Sequence, residues 1–350
     1  MNAAPRLEIR LDRIEHNARV LVGRLAARGI GVTGVTKVAL GAPEVAGALL
    51  RAGVRGLGDS RVENLARLGA GASRTLIRSP MCSQAEQVVE HAEVSCNTEL
   101  DVIAALSAAA VAQGRPHGVL LMVELGDLRE GILPRDLESV ARRASALPNI
   151  VLRGIGTNLA CQSGVAPGEA NMAELSALAD GIEAALGASL ELVSGGNSAN
   201  LDWAFATPDV GRVNDLRLGE AIMLGREPMH RRPIEGLHLD AFTLVGEVIE
   251  SKDKPSLPWG EINQTAFGAA TPAKDRGTRG RALVALGRQD ADPDGLLAPQ
   301  GIEIVGASSD HLVLDTGNSR PAVGSELRFG VNYSALLVAM TSPFVTLTYA

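Results

Sequence analysis

The chain has 350 residues, of which 46% are apolar and 21% are charged, and its formal net charge is −7. This length suits a large domain joined to a smaller one, and the composition is that of a globular protein. The negative charge argues against nucleic acid or an anionic membrane surface as a partner, and we expect neither.

The N-terminal segment and the cysteines indicate a cytoplasmic protein. The opening segment becomes charged at once, so neither a signal peptide nor a membrane-spanning segment is expected. Cys82, Cys96 and Cys161 are widely spaced, which favours free thiols in a reducing compartment over a disulfide framework. The histidines and cysteines form no metal-binding motif, so no metal site is expected.

The first two thirds of the chain alternate between short apolar runs and longer stretches with helical periodicity. A first helix is predicted from Leu11, and further helices over residues 99–112 and 169–186. Eight strands are predicted, over residues 31–38, 53–60, 73–80, 93–97, 118–126, 150–158, 190–198 and 215–224. A run of β–α units with buried strands predicts a (β/α)8 TIM barrel, and a doubly wound open sheet is the alternative.

The pattern changes near residues 225–236, where Pro228 and Pro233 interrupt it. The β-like segments that follow cover residues 242–251, 282–288, 301–307, 311–317 and 343–349. We therefore predict an α/β barrel domain over residues 1–230 and an all-β domain over residues 231–350.

Lys37 is isolated in the sequence, because the next lysine is Lys252 and arginine supplies most of the other positive charge. It follows a predicted buried strand, at the end where barrel active sites lie. Only an amine can form an imine, and burial makes a lysine nucleophilic near neutral pH. Lys37 is therefore a candidate Schiff-base residue, and a structural lysine at the barrel mouth is the alternative.

Glycine-rich turns end the last two predicted barrel strands, in SGGNSAN (194–200) and RLGEA (217–221). In many barrels these two loops bind phosphate through backbone N–H groups, although ordinary turn formation is the alternative. A lysine imine and a phosphate loop together suit pyridoxal phosphate (PLP). Arg217 could face the PLP pyridine nitrogen, and because arginine keeps its proton, it would favour reprotonation at Cα, as a racemase requires. A surface ion-pairing arginine is the alternative.

Several segments resemble the alanine racemase superfamily, the fold-type III PLP enzymes. They are VTKV around Lys37, the opening LEIRLDRIEHNARVL, SGGNS, DLRLGEAIMLG and the closing GVNYSALL (330–337). GDSRVENL (58–65), ELGDLREG (124–131) and GTNLACQ (156–162) are similar to the ornithine racemase branch. The resemblance covers essentially the whole chain. It implies a PLP-binding barrel, a C-terminal β domain and a head-to-tail homodimer in which each β domain completes the partner's site.

The resemblance also implies roles for individual residues. Lys37 would carry PLP as a Schiff base and act as one catalytic base, and Arg217 would face the pyridine nitrogen. The other cofactor-binding residues would be Asn158 against the ring, Asn197, and, at the phosphate, Ser198, Gly219, Glu220 and Tyr333. On the substrate side, Arg129 would contact the PLP phenolic oxygen and orient the substrate, and Asp310 would reach the substrate from the partner.

The sequence departs from alanine racemases at three positions. Arg288 replaces the tyrosine that serves as their second base, Met122 replaces their carbamylated lysine, and no tyrosine follows Lys37 closely. The acid–base group opposite Lys37 is then open between Cys161, Ser309, His311 and Tyr333.

The predicted function is a PLP-dependent racemase acting on ornithine, lysine or a broad set of amino acids. A decarboxylase, aldolase or dehydratase of the same fold type and a non-catalytic PLP-binding protein are the alternatives. A basic substrate would need an acidic partner, and the candidates are Asp59, Asp202, Asp290 and Asp310.

Overall fold

The computed structural model describes residues 4–69, 71–268 and 274–350. They form two compact units. One comprises Asp12–Leu239, and the other comprises Asp240–Ala350 together with the N-terminal segment that ends at Leu11. Within the described ranges, no helix has the length and apolar character that a membrane span requires.

The unit Asp12–Leu239 is a closed barrel of eight parallel strands that follow one another in chain order. Strands are numbered along the chain, and β1 (Arg6–Ile9) belongs to the other unit. The barrel strands are β2 (Gly31–Val35), β3 (Gly56–Asp59), β4 (Ser73–Leu76), β5 (Val94–Asn97), β6 (His117–Val123), β7 (Ile150–Thr157), β8 (Leu192–Ser194) and β9 (Asp215–Leu218). β2 pairs with β9 as well as with β3, which closes the sheet and confirms the barrel over the open-sheet alternative.

Helices connect these strands, as the periodicity predicted. They are α1 (Leu11–Ala26), α2 (Pro43–Arg51), α3 (Val62–Arg67), α4 (Ala85–His91), α5 (Leu100–Ala112), α6 (Pro134–Ser145), α7 (Glu169–Leu186), α8 (Leu201–Ala206) and α9 (Glu220–Leu224). Local sequence sets several ends: α2 and α6 begin with a proline, and α7 stops at Gly187, which adopts the left-handed conformation that favours glycine.

Apolar side chains from three barrel strands pack against one another. Val94, Cys96, Leu120 and Met122 form one buried cluster with Leu192, so it joins β5, β6 and β8. β7 and β8 approach so closely that a Cβ atom on Gly154 would lie 1.7 Å from the Leu192 carbonyl oxygen. Glycine at residue 154 is therefore required by this strand pairing.

The other unit is built on an antiparallel sheet in the order β12-β15-β10-β11-β14-β13, with β1 beside β10 and β16 beside β1. The strands are β10 (Phe242–Pro255), β11 (Thr278–Val284), β12 (Leu296–Leu297), β13 (Glu303–Ala307), β14 (Leu312–Gly317), β15 (Glu326–Val331) and β16 (Thr346–Tyr349). This unit also contains a helix, α10 (Tyr333–Thr341), which the strand-like texture of the sequence did not indicate.

The N-terminal strand β1 was not predicted and changes the division of the chain. It pairs antiparallel with β10 and parallel with β16, so Arg6 lies opposite both Val245 and Thr346. The expected division placed residues 1–230 in the barrel domain and 231–350 in the β domain. The compact units instead part at Leu11 and at Leu239, because β1 finds its hydrogen-bond partners in strands more than 200 residues away.

Candidate active site

Lys37 lies at the carboxyl end of β2, where a short 3-10 turn (Lys37–Ala39) begins. The preceding residue, Thr36, is fully buried and ties the turn to β3: its N–H donates to the Gly58 carbonyl at 2.9 Å and its hydroxyl donates to Asp59 Oδ2 at 2.8 Å. Lys37 itself is half-buried. The register of β2 and β3 therefore places Lys37 at the barrel mouth, which is the position predicted for it from the sequence.

Asp59 is a buried carboxyl group beneath the Lys37 turn. Besides the Thr36 hydroxyl, it accepts hydrogen bonds from Asn64 Nδ2 and from the Arg61 N–H, each at 3.0 Å. Burial raises the pKa of Asp59 above its ordinary value, although these donors oppose the shift. Because its oxygens are used within the barrel, Asp59 stabilises the Lys37 turn and is a poor candidate for binding a substrate ammonium group.

Arg217 is buried in the barrel, with only 5% of its surface exposed, and joins three strands. From β9, its Nη1 donates to the Ser194 hydroxyl on β8 and its Nη2 donates to the Thr157 carbonyl on β7 at 2.6 Å. The remaining N–H donors of the guanidinium group are available to a further acceptor. A surface ion-pairing role for Arg217 is thus wrong, because the side chain is inside the barrel.

The Asp215 carboxylate orients the Ser194 hydroxyl that accepts the Arg217 hydrogen bond. The Ser194 hydroxyl donates to Asp215 Oδ2 at 2.6 Å, and the Thr33 hydroxyl donates to Asp215 Oδ1 at 2.8 Å. The hydrogen bonds thus run from β2 through β9 to β8 and β7. Thr33, Ser194 and Asp215 were not predicted as site residues, although Asp215 and Arg217 are two residues apart on one strand and therefore point to the same side.

The turns after β8 and β9 meet each other. The Ser198 hydroxyl, which is 3% exposed, accepts a hydrogen bond from the Ala221 N–H at 3.1 Å. A Cβ atom on Gly219 would lie 3.2 Å from Val35 Cβ, so the β9 turn packs directly against the strand that leads to Lys37. The Glu220 side chain pairs with Arg231, which leaves only its backbone for a ligand at this turn.

Asn158, Cys161 and Asn197 form a contact group at the barrel mouth, which we call the mouth cluster. Asn197 Nδ2 donates to Asn158 Oδ1 at 3.0 Å and to the Leu159 carbonyl at 2.9 Å. Asn158 Nδ2 in turn lies 3.1 Å from Cys161 Sγ. The structure thereby brings together Asn158 and Asn197, which the resemblance implied as cofactor-binding residues, and Cys161, one of the four acid–base candidates.

Arg129 lies in the loop after β6 and pairs with its neighbour Glu130. This hydrogen bond raises the pKa of Arg129. Arg129, Lys37, Arg217 and the two glycine-rich turns therefore all lie at the carboxyl ends of barrel strands.

Two predicted site residues, Tyr333 and Asp310, belong to the β unit. Tyr333 is the first residue of α10, which Asn332 caps by accepting the Ala335 N–H at 2.9 Å. Asp310 is exposed and contacts His311 Nδ1 at 2.8 Å and the Ser308 hydroxyl at 3.1 Å. The His311 contact lowers the pKa of Asp310.

One group of potential metal ligands occurs in the described part of the barrel unit: Asp202, Glu227 and His230. Arg232 lies between the two carboxylates, 2.7 Å from Asp202 Oδ2 and 3.3 Å from Glu227 Oε1. Glu227 also accepts backbone N–H bonds from Met229, His230 and Arg232. Because Arg232 pairs with both carboxylates, the group is accounted for by ion pairing.

Comparison with known proteins identifies the family. Residues 9–227 match the family model described as alanine racemase, N-terminal domain. The chain belongs to the alanine racemase family. A lysine racemase from Thermotoga maritima is 40% identical over 99% of this chain and 98% of its own length. An ornithine racemase from Acetoanaerobium sticklandii is 36% identical over 97% of this chain and 98% of its own length.

The fold is also that of solved alanine racemases. The Bartonella henselae enzyme, described with covalently bound pyridoxal phosphate, superimposes with a TM-score of 0.75 over 100% of both chains, at 17% identity. Met122 and Arg288, two of the expected departures from alanine racemases, both lie among the described residues. Met122 is 2% exposed within the apolar cluster, so this position holds no charged group. Arg288 stacks on Phe267, with 4.9 Å between its guanidinium carbon and the ring centroid.

Proposed function

We propose that this chain is a PLP-dependent racemase of basic amino acids, with ornithine and lysine as its first candidate substrates. The observation that carries the proposal is the buried Arg217 guanidinium, held between β7, β8 and β9 at the mouth of a barrel that also presents Lys37. The relatives named lysine racemase and ornithine racemase support the same reaction class and substrate class.

The residues at the barrel mouth suit PLP by their chemistry. Lys37 supplies the amine that would hold the cofactor, and the backbone around Ser198, Gly219 and Glu220 would hold its phosphate. The close packing of Gly219 against Val35 fixes this turn beside the strand that leads to Lys37. Asn158, fixed by Asn197, would lie against the ring. When bound, PLP delocalises the electron pair of the substrate Cα–H bond and so makes that proton acidic.

Arg217 would direct this chemistry towards racemisation. Its guanidinium group keeps its proton, so it can only donate to the pyridine nitrogen and leaves that nitrogen unprotonated. By withholding a proton from that nitrogen, Arg217 would weaken electron withdrawal by the ring and so favour return of a proton to Cα. Ser194 and Asp215 hold Arg217 in the orientation that this role needs.

A basic substrate side chain needs a carboxylate, and the four candidates differ in their surroundings. Asp59 is engaged beneath the Lys37 turn and Asp202 is paired with Arg232. Asp310 and Asp290 both lie in the β unit, where burial and then the charge of Asp310 raise the pKa of Asp290. We assign the substrate-facing role to Asp310, because it is exposed and its contact with His311 favours its charged form.

The active assembly in this proposal is a head-to-tail homodimer in the cytoplasm, where each β unit contributes Asp310 and Tyr333 to the partner's barrel. Support comes from exposed apolar side chains in the described part of the segment between β10 and β11, namely Leu257, Trp259, Ile262 and Phe267. Trp259 is 83% exposed, and large exposed apolar groups of this kind usually mark an interface. The three free cysteines suit a reducing compartment.

The test is to incubate the PLP-loaded protein with each L-amino acid and to measure the D-enantiomer by chiral chromatography. Ornithine and lysine should be racemised fastest, and Lys37→Ala should abolish the reaction. In parallel, borohydride reduction of the PLP-loaded protein should attach the cofactor to Lys37. No D-enantiomer from any amino acid, or a cofactor attached to Lys252, Lys254 or Lys274, would contradict the proposal.

A further inference from the structure

Two buried side chains of opposite charge, Asp215 and Arg217, are separated inside the barrel by a single hydroxyl group. The Ser194 hydroxyl donates to Asp215 Oδ2 at 2.6 Å and accepts a hydrogen bond from Arg217 Nη1. All three side chains are buried, and in the described part of the barrel no ion pair joins Arg217 to Asp215 directly. Because an unpaired charge is unfavourable in the interior, each charge needs the other nearby, yet the two meet only through Ser194.

The strand geometry would otherwise allow a direct ion pair. Asp215 and Arg217 are two residues apart on β9, so their side chains leave the same face of the strand, with about 6.6 Å between the Cα atoms. Arginine and carboxylate groups commonly pair directly through two parallel N–H bonds. Here both carboxylate oxygens instead accept from hydroxyl groups, Oδ2 from Ser194 and Oδ1 from Thr33 at 2.8 Å.

Neutral oxygen atoms hold the Arg217 guanidinium group on two sides. Nη1 donates to the Ser194 hydroxyl on β8, and Nη2 donates to the Thr157 carbonyl on β7 at 2.6 Å. A guanidinium group has more N–H donors than these two contacts use. A direct pair with Asp215 would occupy two further donors and would offset most of the positive charge. The neutral contacts therefore leave both the charge and several donors for another group.

The order of residues along the strands shows which way a direct pair would turn Arg217. On β9 and the turn that follows it, Asp215, Arg217 and Gly219 run from the barrel interior towards the carboxyl end of the strand. Thr157 is the last residue of β7, so its carbonyl holds Arg217 near the barrel mouth. Pairing with Asp215 would draw the guanidinium group away from the mouth, and hence away from Lys37.

Given the racemase function proposed above, on which this inference rests, we propose that Ser194 is a positioning residue that keeps Arg217 from pairing with Asp215. The guanidinium group can then face the cofactor ring with its charge and its free donors. Ser194 touches neither substrate nor cofactor in this role and acts through Arg217. A serine hydroxyl suits the role because it donates to the carboxylate and accepts from the guanidinium group at the same time.

The first experiment compares crystal structures of the cofactor-free parent and of Ser194→Ala. In Ser194→Ala the guanidinium group should lie within about 4 Å of the Asp215 carboxylate, the distance of a direct ion pair, and should lose its contact with the Thr157 carbonyl. The matched control is Ser95→Ala, because Ser95 is equally buried in the barrel unit but bonds to His117 at 2.7 Å. Arg217 should not move in this control. If Arg217 still bonds to Thr157 and stays apart from Asp215 in Ser194→Ala, the inference is wrong.

The second experiment measures the dissociation constant of PLP by titration of the protein, followed through the absorbance of the cofactor. Ser194→Ala should bind PLP about 10-fold or more weakly, the usual loss when a charged donor no longer reaches its acceptor. Asp215→Asn removes the competing negative charge and offers a neutral amide oxygen instead. The double variant, Ser194→Ala with Asp215→Asn, should therefore bind PLP more tightly than Ser194→Ala. A purely structural serine would make the double variant at least as weak as the single one.

The third experiment observes the pyridine nitrogen itself, in the protein loaded with PLP that carries a ¹⁵N label at this atom. In the parent, solid-state NMR should show an unprotonated nitrogen that accepts a hydrogen bond. In Ser194→Ala the signal should shift towards that of an unprotonated nitrogen without a donor, whereas Ser95→Ala should give the parental signal. An unchanged signal in Ser194→Ala would contradict the positioning role.

The outcomes separate this inference from the proposed function. If the parent binds PLP and racemises ornithine or lysine, but the double variant binds PLP no better than Ser194→Ala, the role of Ser194 is wrong and the proposed function stands. If the parent racemises no amino acid, the proposed function fails. The crystal structures of the cofactor-free proteins still test whether Ser194 separates Arg217 from Asp215, because they depend on neither cofactor nor activity.

Discussion

Replacing Arg217 by methionine removes the guanidinium group that joins three barrel strands. The hydrogen bonds lost are those to the Ser194 hydroxyl and to the Thr157 carbonyl. Hydrogen bonds made by a charged group contribute about 1.5–3 kcal/mol each, so Arg217→Met should lower the free energy of unfolding by about 3–6 kcal/mol. In Arg217→Lys the ammonium group keeps the charge but reaches only one of the two acceptors. The free energy of unfolding should therefore fall by about half as much as in Arg217→Met.

The measurement is urea unfolding of the protein without cofactor, which excludes any contribution from PLP binding. The control is Arg142→Met, because the Arg142 side chain is 53% exposed and pairs with Glu138 one helical turn away. Exposed pairs of this kind contribute about 0.3–0.5 kcal/mol. If Arg217→Met unfolds at the same urea concentration as Arg142→Met, the buried guanidinium contacts do not stabilise the barrel and the reasoning is refuted.

The same position tests the chemistry proposed for Arg217. Arg217→Glu should allow the pyridine nitrogen of bound PLP to be protonated, which strengthens electron withdrawal and lengthens the time before Cα is reprotonated. Racemisation should become slower, and keto acid should form slowly through proton return to the cofactor side. Chiral chromatography and a keto-acid assay measure the two products. If Arg217→Glu racemises as fast as the parent enzyme and forms no keto acid, Arg217 does not face the ring. The assignment of Gly219 and Glu220 to the phosphate would then also be wrong, because both assignments depend on the register of β9.

Three further predictions concern stability and assembly. Burial lowers the pKa of His117 from 6.5 to about 4, so between these pH values the unfolded chain binds a proton that the folded chain does not. The free energy of unfolding should therefore be highest above pH 6.5 and fall by about 3 kcal/mol as the pH is lowered towards 4. Urea unfolding measures this pH dependence, which should be absent in His117→Gln. Gly154→Ala should lower the thermal unfolding midpoint strongly, because its Cβ atom would lie 1.7 Å from the Leu192 carbonyl oxygen, whereas Gly181→Ala, where nothing lies within 4 Å, should not. Dilution of the dimer to monomer should abolish racemisation while PLP stays bound, and analytical ultracentrifugation measures the dissociation. A fully active monomer would contradict the dimeric site.

The sequence alone determined the elements of the barrel and the position of its lysine. Hydrophobic periodicity acts over neighbouring residues, so the eight strands and the helices between them could be predicted without knowing their partners. The isolation of Lys37 and the glycine-rich turns at Gly219 and in SGGNS are likewise local features. They predicted a cofactor site at the carboxyl ends of the strands, where the structure places these residues.

Only the tertiary structure decided which side chains meet. Arg217 bonds to Thr157, Asn197 to Asn158, and Asp127 to the turn that carries Cys161, across 60, 39 and 34 residues of sequence respectively. These contacts depend on the register with which the barrel closes, and no local pattern encodes that register. For the same reason β1 was missed: its four residues are too few for a clear period, and its place is set by pairing with β10 and β16 near the other end of the chain.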